Sequence, residues 1–252
     1  VTGVQTCALP ISHVNDFLGE FLGTAVLILM GNGVVAGVLL DRSKARNAGW
    51  IAITAGWAFA VMAGIFTARA VGAPGFINPV GPIAGFATGK LEVAKALNQL
   101  AGEFLGAFTG AVLVWLYFFP HWAGTADAGD KRACFCTSPA IRNFPANFFC
   151  EFLATFLLVL VGEAIAKEEL ARGLAAPIGG ALVWGIGLSL GGTTGYAINP
   201  ARDLAPRFAH ALLPIAGKGG SDWSYAWVPV LGPIAGGLAA ALLARAVFLS
   251  PL

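Results

Sequence analysis

Two asparagine–proline steps carry the most chemistry in this chain of 252 residues. One lies in Ile77-Asn78-Pro79-Val80 and the other in Ile198-Asn199-Pro200-Ala201. Asparagine is a strong helix N-cap and proline is favoured at the first helical position, so each step reads as a helix start. A helix N-terminus gathers about half a positive charge from its aligned peptides. Two such ends meeting face to face would hold the oxygen of a passing water or hydroxyl, present asparagine amides as donors, and repel cations. The plainer alternative is a pair of ordinary helix caps. Arg202 directly follows the second step. Arginine at membrane depth is costly and usually functional, so it is expected at a narrow point, donating to hydroxyls. Its alternative is a loop ion pair with Asp203. Glu20 opens Glu20-Phe21-Leu22-Gly23-Thr24 and Glu151 opens Glu151-Phe152-Leu153-Ala154-Thr155. Each could accept hydrogen bonds from irregular backbone ahead of a half-helix, or the two could relay protons. Glu103 is a third candidate for a buried carboxylate, without an assigned partner.

These residues need elements that bring them to one depth. Hydrophobic residues make up 57% of the chain and charged residues 11%, with a mean hydropathy of +0.77 and 34 glycines. Soluble domains carry about 25% charged residues, so the composition indicates packed helices in a bilayer. A net charge of +2 offers no field for a nucleic-acid partner. Residues 21–40, 47–68, 70–89, 104–126, 173–201 and 223–244 are free of charge. Full helices are expected near 17–40, 49–68, 97–119, 147–166, 175–191 and 225–248. Trp50, Trp115, Trp122, Trp223 and Trp227 fall near their ends, where aromatic belts sit.

Residues 70–89 and 192–213 do not fit full spans, because glycine and proline interrupt them and Arg202, Asp203 and Arg207 charge the second. A helix from Asn78 to Thr88 would be roughly 16 Å long, about half a bilayer. Both segments read as re-entrant half-helices. Their approaches, from Gly72 to Ile77 and from Gly191 to Ile198, would be non-helical backbone at membrane depth, tolerated only inside protein or along a wet cavity. The matched glutamates and asparagines make the chain an inverted repeat, about 16–120 and 147–249, with three spans and one half-helix in each copy.

The opening Val1 to Ile11, VTGVQTCALPI, resembles translated sequencing adapter and is expected to be foreign to the fold. Cys7 falls in it, and residues 12–252 are expected to form a single channel domain. Cys134, Cys136 and Cys150 form no C-x-x-C, so neither a metal site nor a disulfide framework is expected. H-E-x-x-H and Walker sequences are absent from the chain, which speaks against an intramembrane enzyme. His13, His121 and His210 read as interface residues near span ends.

The motifs together closely resemble the major intrinsic proteins, the aquaporins and glycerol facilitators, over residues 16 to about 249. Glu20, the paired Asn-Pro steps, Gln99 with Gly102 and Gly106, Glu151, and Asn199-Pro200-Ala201-Arg202 carry the resemblance. It implies an all-α membrane protein: a right-handed bundle of six transmembrane helices plus two re-entrant half-helices. It further implies one pore per subunit of a homotetramer in the inner membrane of a bacterium, with termini inside and no cofactor. The pore midplane would be Asn78, Pro79, Val80, Asn199, Pro200 and Ala201. Asp203, Arg207, Pro229 and Val230 look like the glycerol-facilitator branch. The family's four constriction positions fall on Trp57, Gly187, Tyr196 and Arg202, where Gly187 leaves room and the two rings wall a polyol's carbons. The first half departs from the family pattern. Val80 replaces alanine, Phe76 replaces histidine, Gly81-Pro82 replaces Val-Thr, and one extra residue separates Trp57 from Asn78.

The expected function is a passive channel for glycerol and other small neutral solutes, with some water, excluding ions and protons. The alternatives are a water-selective channel of the same fold and a coupled secondary transporter, since inverted repeats serve both classes.

Overall fold

A computed structural model describes residues 11–171 and 173–248, with side chains from residue 15. The adapter-like segment, except residue 11, lies outside the described residues, as does Arg172. The described residues are helical and include no strand. In order the helices are α1 (Ile11–Leu39), α2 (Gly49–Ala70), α3 (Val80–Ala87), α4 (Val93–Tyr117) and α5 (Phe119–Gly124). There follow α6 (Ala128–Ala133), α7 (Phe144–Ile165), α8 (Ala175–Leu190), α9 (Pro200–Leu212) and α10 (Val228–Phe248).

Helices α1, α2, α4, α7 and α10 are long and apolar enough to cross a membrane. The sixth, α8, has 16 residues, about 24 Å at 1.5 Å per residue, short of the roughly 30 Å of a hydrocarbon core. It ends at Gly191, where a Cβ would stand 2.5 Å from the Tyr196 ring. The missing side chain lets the chain turn back against that ring. The two short helices α5 and α6 were not anticipated. Asp127 nucleates α6 by accepting the Asp130 N–H at 2.8 Å, in a charged run that reads only as a connection.

The two halves pack alike. Helix α1 lies on α4, and α7 on α10. A Cβ at Gly102 would stand 2.6 Å from Phe17 O, with Phe21 N and Glu20 Cβ next nearest; one at Gly232 would stand 2.8 Å from Glu151 Cβ, with Phe148 O and Phe152 N next nearest. Four residues on, Gly106 faces the Phe21 carbonyl and Gly236 the Phe152 carbonyl, each closer than any real Cβ contact. Without a hydrophobic drive between helices in lipid, close van der Waals approach over small residues is what holds such pairs. Each half-helix packs on both α4 and α10, so it touches the last span of the other half as well as its own.

The first half-helix is shorter than the sequence suggests. It begins at Val80 and ends at Ala87, eight residues rather than eleven. Pro79 occupies the cap position, and the turn ahead of it is closed by Gly81 N–H donating to Asn78 O at 2.9 Å. At its far end Arg245 of α10 donates to Thr88 O at 2.9 Å, satisfying a carbonyl that the helix leaves open.

Candidate functional site

The approach to each half-helix runs through left-handed backbone in the same register. Gly75 and Ile77 have φ of 78° and 47°, and Tyr196 and Ile198 have 37° and 42°. Left-handed geometry in a β-branched residue costs on the order of 1–3 kcal/mol, so the surroundings must hold it. Two buried carboxylates do so. Glu20 accepts the N–H groups of Gly75 (2.7 Å) and Phe76 (3.0 Å) on Oε1, and of Ile77 (2.7 Å) on Oε2. Glu151 accepts the Thr194 hydroxyl (2.7 Å) and Ala197 N–H (3.0 Å) on Oε1, and Ile198 N–H (2.9 Å) on Oε2. Bonds to an ionised acceptor are roughly twice as strong as neutral ones, which suits this cradling.

The flipped isoleucines aim their carbonyls across the junction. Asn78 Nδ2 donates to Ile198 O at 2.8 Å, and Asn199 Nδ2 donates to Ile77 O at 2.7 Å. Each asparagine therefore grips the opposite loop, and one of its two amide hydrogens is engaged there, not free. The side-chain oxygens accept from the backbone at each helix start. Asn199 Oδ1 accepts Arg202 N–H at 3.0 Å, three residues on, whereas Asn78 Oδ1 accepts Val80 N–H at 3.1 Å, two residues on. The backbone N–H of Asn78 donates to Glu103 Oε1 at 3.1 Å. Glu103 thus has a partner that its position in sequence does not reveal.

Both asparagines line a cavity of about 740 Å³. It reaches from Arg69 and the Lys90–Glu163 ion pair (2.9 Å) to Trp57, Tyr196 and Arg202. Leu27, Val61, Ile65, Leu158 and Val183 form much of its apolar wall. The Arg202 guanidinium lies 4.2 Å from the centroid of the Trp57 ring, a cation–π distance that is favourable where the pair is desolvated. Arg202 is 7% exposed, and its Nη1 has no hydrogen-bond partner among the described residues. The extra residue before Asn78 thus leaves Trp57 against Arg202. Gly31 makes this possible, because a Cβ there would occupy the Trp57 indole.

Gly187 does not line the cavity but sits behind Tyr196, where a Cβ would be 2.9 Å from Tyr196 Cζ and 3.0 Å from Thr54 Cγ2. Trp50 donates to Gly187 O at 3.0 Å and meets Tyr196 edge-on at 5.7 Å. No sequence signal distinguished Trp50 or Gly31 from other membrane residues.

The residues beyond the second asparagine form a separate, wholly buried clamp. Arg207, not Arg202, pairs with Asp203, with Nε donating at 2.8 Å and Nη2 at 2.7 Å from Oδ1. Asp203 Oδ2 accepts the backbone N–H and hydroxyl of Thr137, both at 2.7 Å. Arg207 also donates to the carbonyls of Ser221 (2.8 Å), Asp222 (3.0 Å) and Thr137 (2.9 Å). Both charges are fully buried with several hydrogen bonds each, the condition under which such a pair is sustained. Asp203 and Arg207 thereby tie α9 to the loops ahead of α7 and α10. Pro229 and Val230 open α10, the first buried and the second half-buried, and neither lines the cavity.

Two departures in the first half pack against glycines. A Cβ on Gly81 would strike the Phe76 ring, and one on Gly237 would strike Val80. The bulk of Val80, 2% exposed, is taken up between α3 and α10.

Comparisons with known proteins agree with this geometry. The family model described as "Major intrinsic protein" matches residues 9–244. Glycerol uptake facilitator protein 3 of Lactiplantibacillus plantarum is 51% identical over 228 residues, covering 90% of this chain and 95% of the relative. The probable glycerol uptake facilitator protein of Thermotoga maritima is 49% identical over 233 residues, covering 92% and 99%. Among solved structures, the aquaglyceroporin from Plasmodium falciparum superposes with a TM-score of 0.82 at 26% identity, covering 94% of this chain and 97% of that one.

Proposed function

Because this chain belongs to the major intrinsic protein family, we propose that it is a passive transmembrane channel for glycerol and other small neutral solutes, with some water. The observation that carries the reading is the junction: two half-helix starts, cross-bonded through Asn78 and Asn199, facing one cavity. The remaining amide hydrogens of both asparagines are donors to a solute oxygen. A solute held there sits between two positive helix ends, so a cation or hydronium ion is repelled while a hydroxyl is welcomed. Trp57, Tyr196 and Arg202, with Gly187 making room, act as the filter: the rings cover carbon and Arg202 donates to hydroxyls. Glycerol offers both surfaces at once. Glu20 and Glu151 serve as acceptors for strained backbone and not as proton relays, since their oxygens are committed to N–H and O–H groups.

The protein acts as a channel and not as an enzyme, with residues 12–252 as one channel unit. Its place is the plasma membrane of a bacterium, as the names of its relatives favour. Apolar side chains such as Ile51, Tyr117 and Ile141 are widely exposed and suit contact with lipid or with further copies in a homotetramer. Osmotic swelling of liposomes carrying the purified protein tests the reading. Glycerol uptake well above that of empty liposomes is expected. Fast water flow with glycerol uptake no faster than in empty liposomes would make this a water-selective channel instead. Uptake that saturates and follows a proton gradient would make it a coupled transporter.

A further inference from the structure

Glu103 stands apart from the two matched carboxylates. It is fully buried on α4. Oε1 accepts the Asn78 N–H at 3.1 Å, and Oε2 has no partner among the described residues. No cation is paired with it among those residues either. The internal repeat provides a reference. Gly102 on α4 and Gly232 on α10 meet equivalent atoms of their partner helices, so Glu103 corresponds to Pro233. A proline has no side-chain acceptor. The second half therefore starts its half-helix without such a carboxyl, and the first half does not.

The difference has a local cause. Asn199 bridges to the third residue after it, the usual cap, and α9 continues for 13 residues. Asn78 reaches only the second residue after it, and α3 runs for eight. The first asparagine is less firmly fixed by its own helix. Its N–H, half-buried at the junction, would otherwise lack this partner, and an unpaired donor there is unfavourable.

We propose that Glu103 is a positioning residue for permeation, holding the Asn78 backbone so that the Asn78 amide stays aligned with Ile198 O and with the cavity. It does not touch solute. The transport half of this claim rests on the channel reading, whereas the backbone half stands without it.

Two measurements separate those halves. The first is amide hydrogen exchange at Asn78 and Ile77 in the membrane-embedded protein. E103A should exchange about tenfold faster at Asn78, the factor for about 1.4 kcal/mol, while Ile77, held by Glu20, stays protected. Equal acceleration at both sites, or none at Asn78, overturns the proposal. The second is flux per channel in liposomes. E103L should lower glycerol permeability several-fold and change the glycerol-to-water ratio, and E103Q, which retains an acceptor oxygen, should restore both. Wild-type flux and ratio in a folded E103L, or a loss in E103Q as large as in E103L, also overturns it. Should E103L fail to fold, the exchange pattern of E103A and the flux of E103Q decide alone. If the wild type carries no glycerol, the channel reading fails while the exchange prediction remains open to test.

Discussion

At the scale of single residues, the site is built as much by absent side chains as by present ones. Gly187→His would put new atoms within 3.0 Å of Tyr196 and Thr54, driving the Tyr196 ring toward the cavity. Glycerol flux is expected to fall at least about tenfold, a barrier change near 1.4 kcal/mol, and water flux by much less; stopped-flow light scattering with each solute measures both. Equal loss of the two would remove Gly187 from the filter. Gly81→Val has the same logic on the other side of the asparagines. Phe76 must leave its seat on Gly81, and flux of larger polyols should drop more than that of glycerol in the same assay. The asparagines, Arg202 and the paired glutamates are legible in sequence because their types are costly in a membrane and their settings recur. Gly31 and Trp50 are not, since glycine and tryptophan are common in membrane helices and only contact distinguishes these two. Nor is the partner of Asp203 legible: adjacency favours Arg202, but residues four apart share a helix face, and the structure pairs Asp203 with Arg207.

Among elements, the half-helices depend on their carboxylate cradles. Glu151→Leu would strand the Thr194 hydroxyl and two backbone N–H groups inside the protein. At about 1–3 kcal/mol each, the loss approaches the whole stability of a domain. Thermal unfolding in detergent should show a melting temperature far below wild type or no folded protein, whereas Glu151→Gln should lie between. Near-wild-type melting of Glu151→Leu would mean that the left-handed backbone holds itself. Helix packing makes a milder prediction. Gly236→Ala pushes against the Phe152 carbonyl and should destabilise by about 1–3 kcal/mol, read in the same experiment. The long spans were legible from charge-free runs, because length and apolarity are all that a bilayer asks of a helix. The start of α3 was not. Asparagine followed by proline looks identical in both halves, and the difference lies in a tight turn and in Glu103 from another helix.

For the whole molecule, an exposed ion pair adds to the ties between the connections ahead of α7 and α10. Arg142, ahead of α7, donates to both carboxylate oxygens of Asp222, ahead of α10. Burial works to raise the Asp222 pKa, but the Arg142 hydrogen bond and charge, helped by Ser224, hold it below the usual aspartate value. A depressed carboxylate contributes stability that is present above the usual value near pH 4 and is lost as pH falls through the lower folded one. Arg142 is 43% exposed at its side chain, so the contribution is small. The melting difference between wild type and Asp222→Asn should be constant from neutral pH to about pH 4 and shrink below it; a difference that grows on acidification would reverse the sign of this coupling. The repeat itself was legible, yet its interlocking was not, because no spacing in the chain reveals which helix covers which. That interlocking bears on biogenesis. Helix α3 rests on α10 and α9 rests on α4, so a nascent polypeptide that has released only its first four helices from the ribosome still lacks the surface that completes its own first loop. The water path would therefore come into being in one late step, when the final helix is inserted.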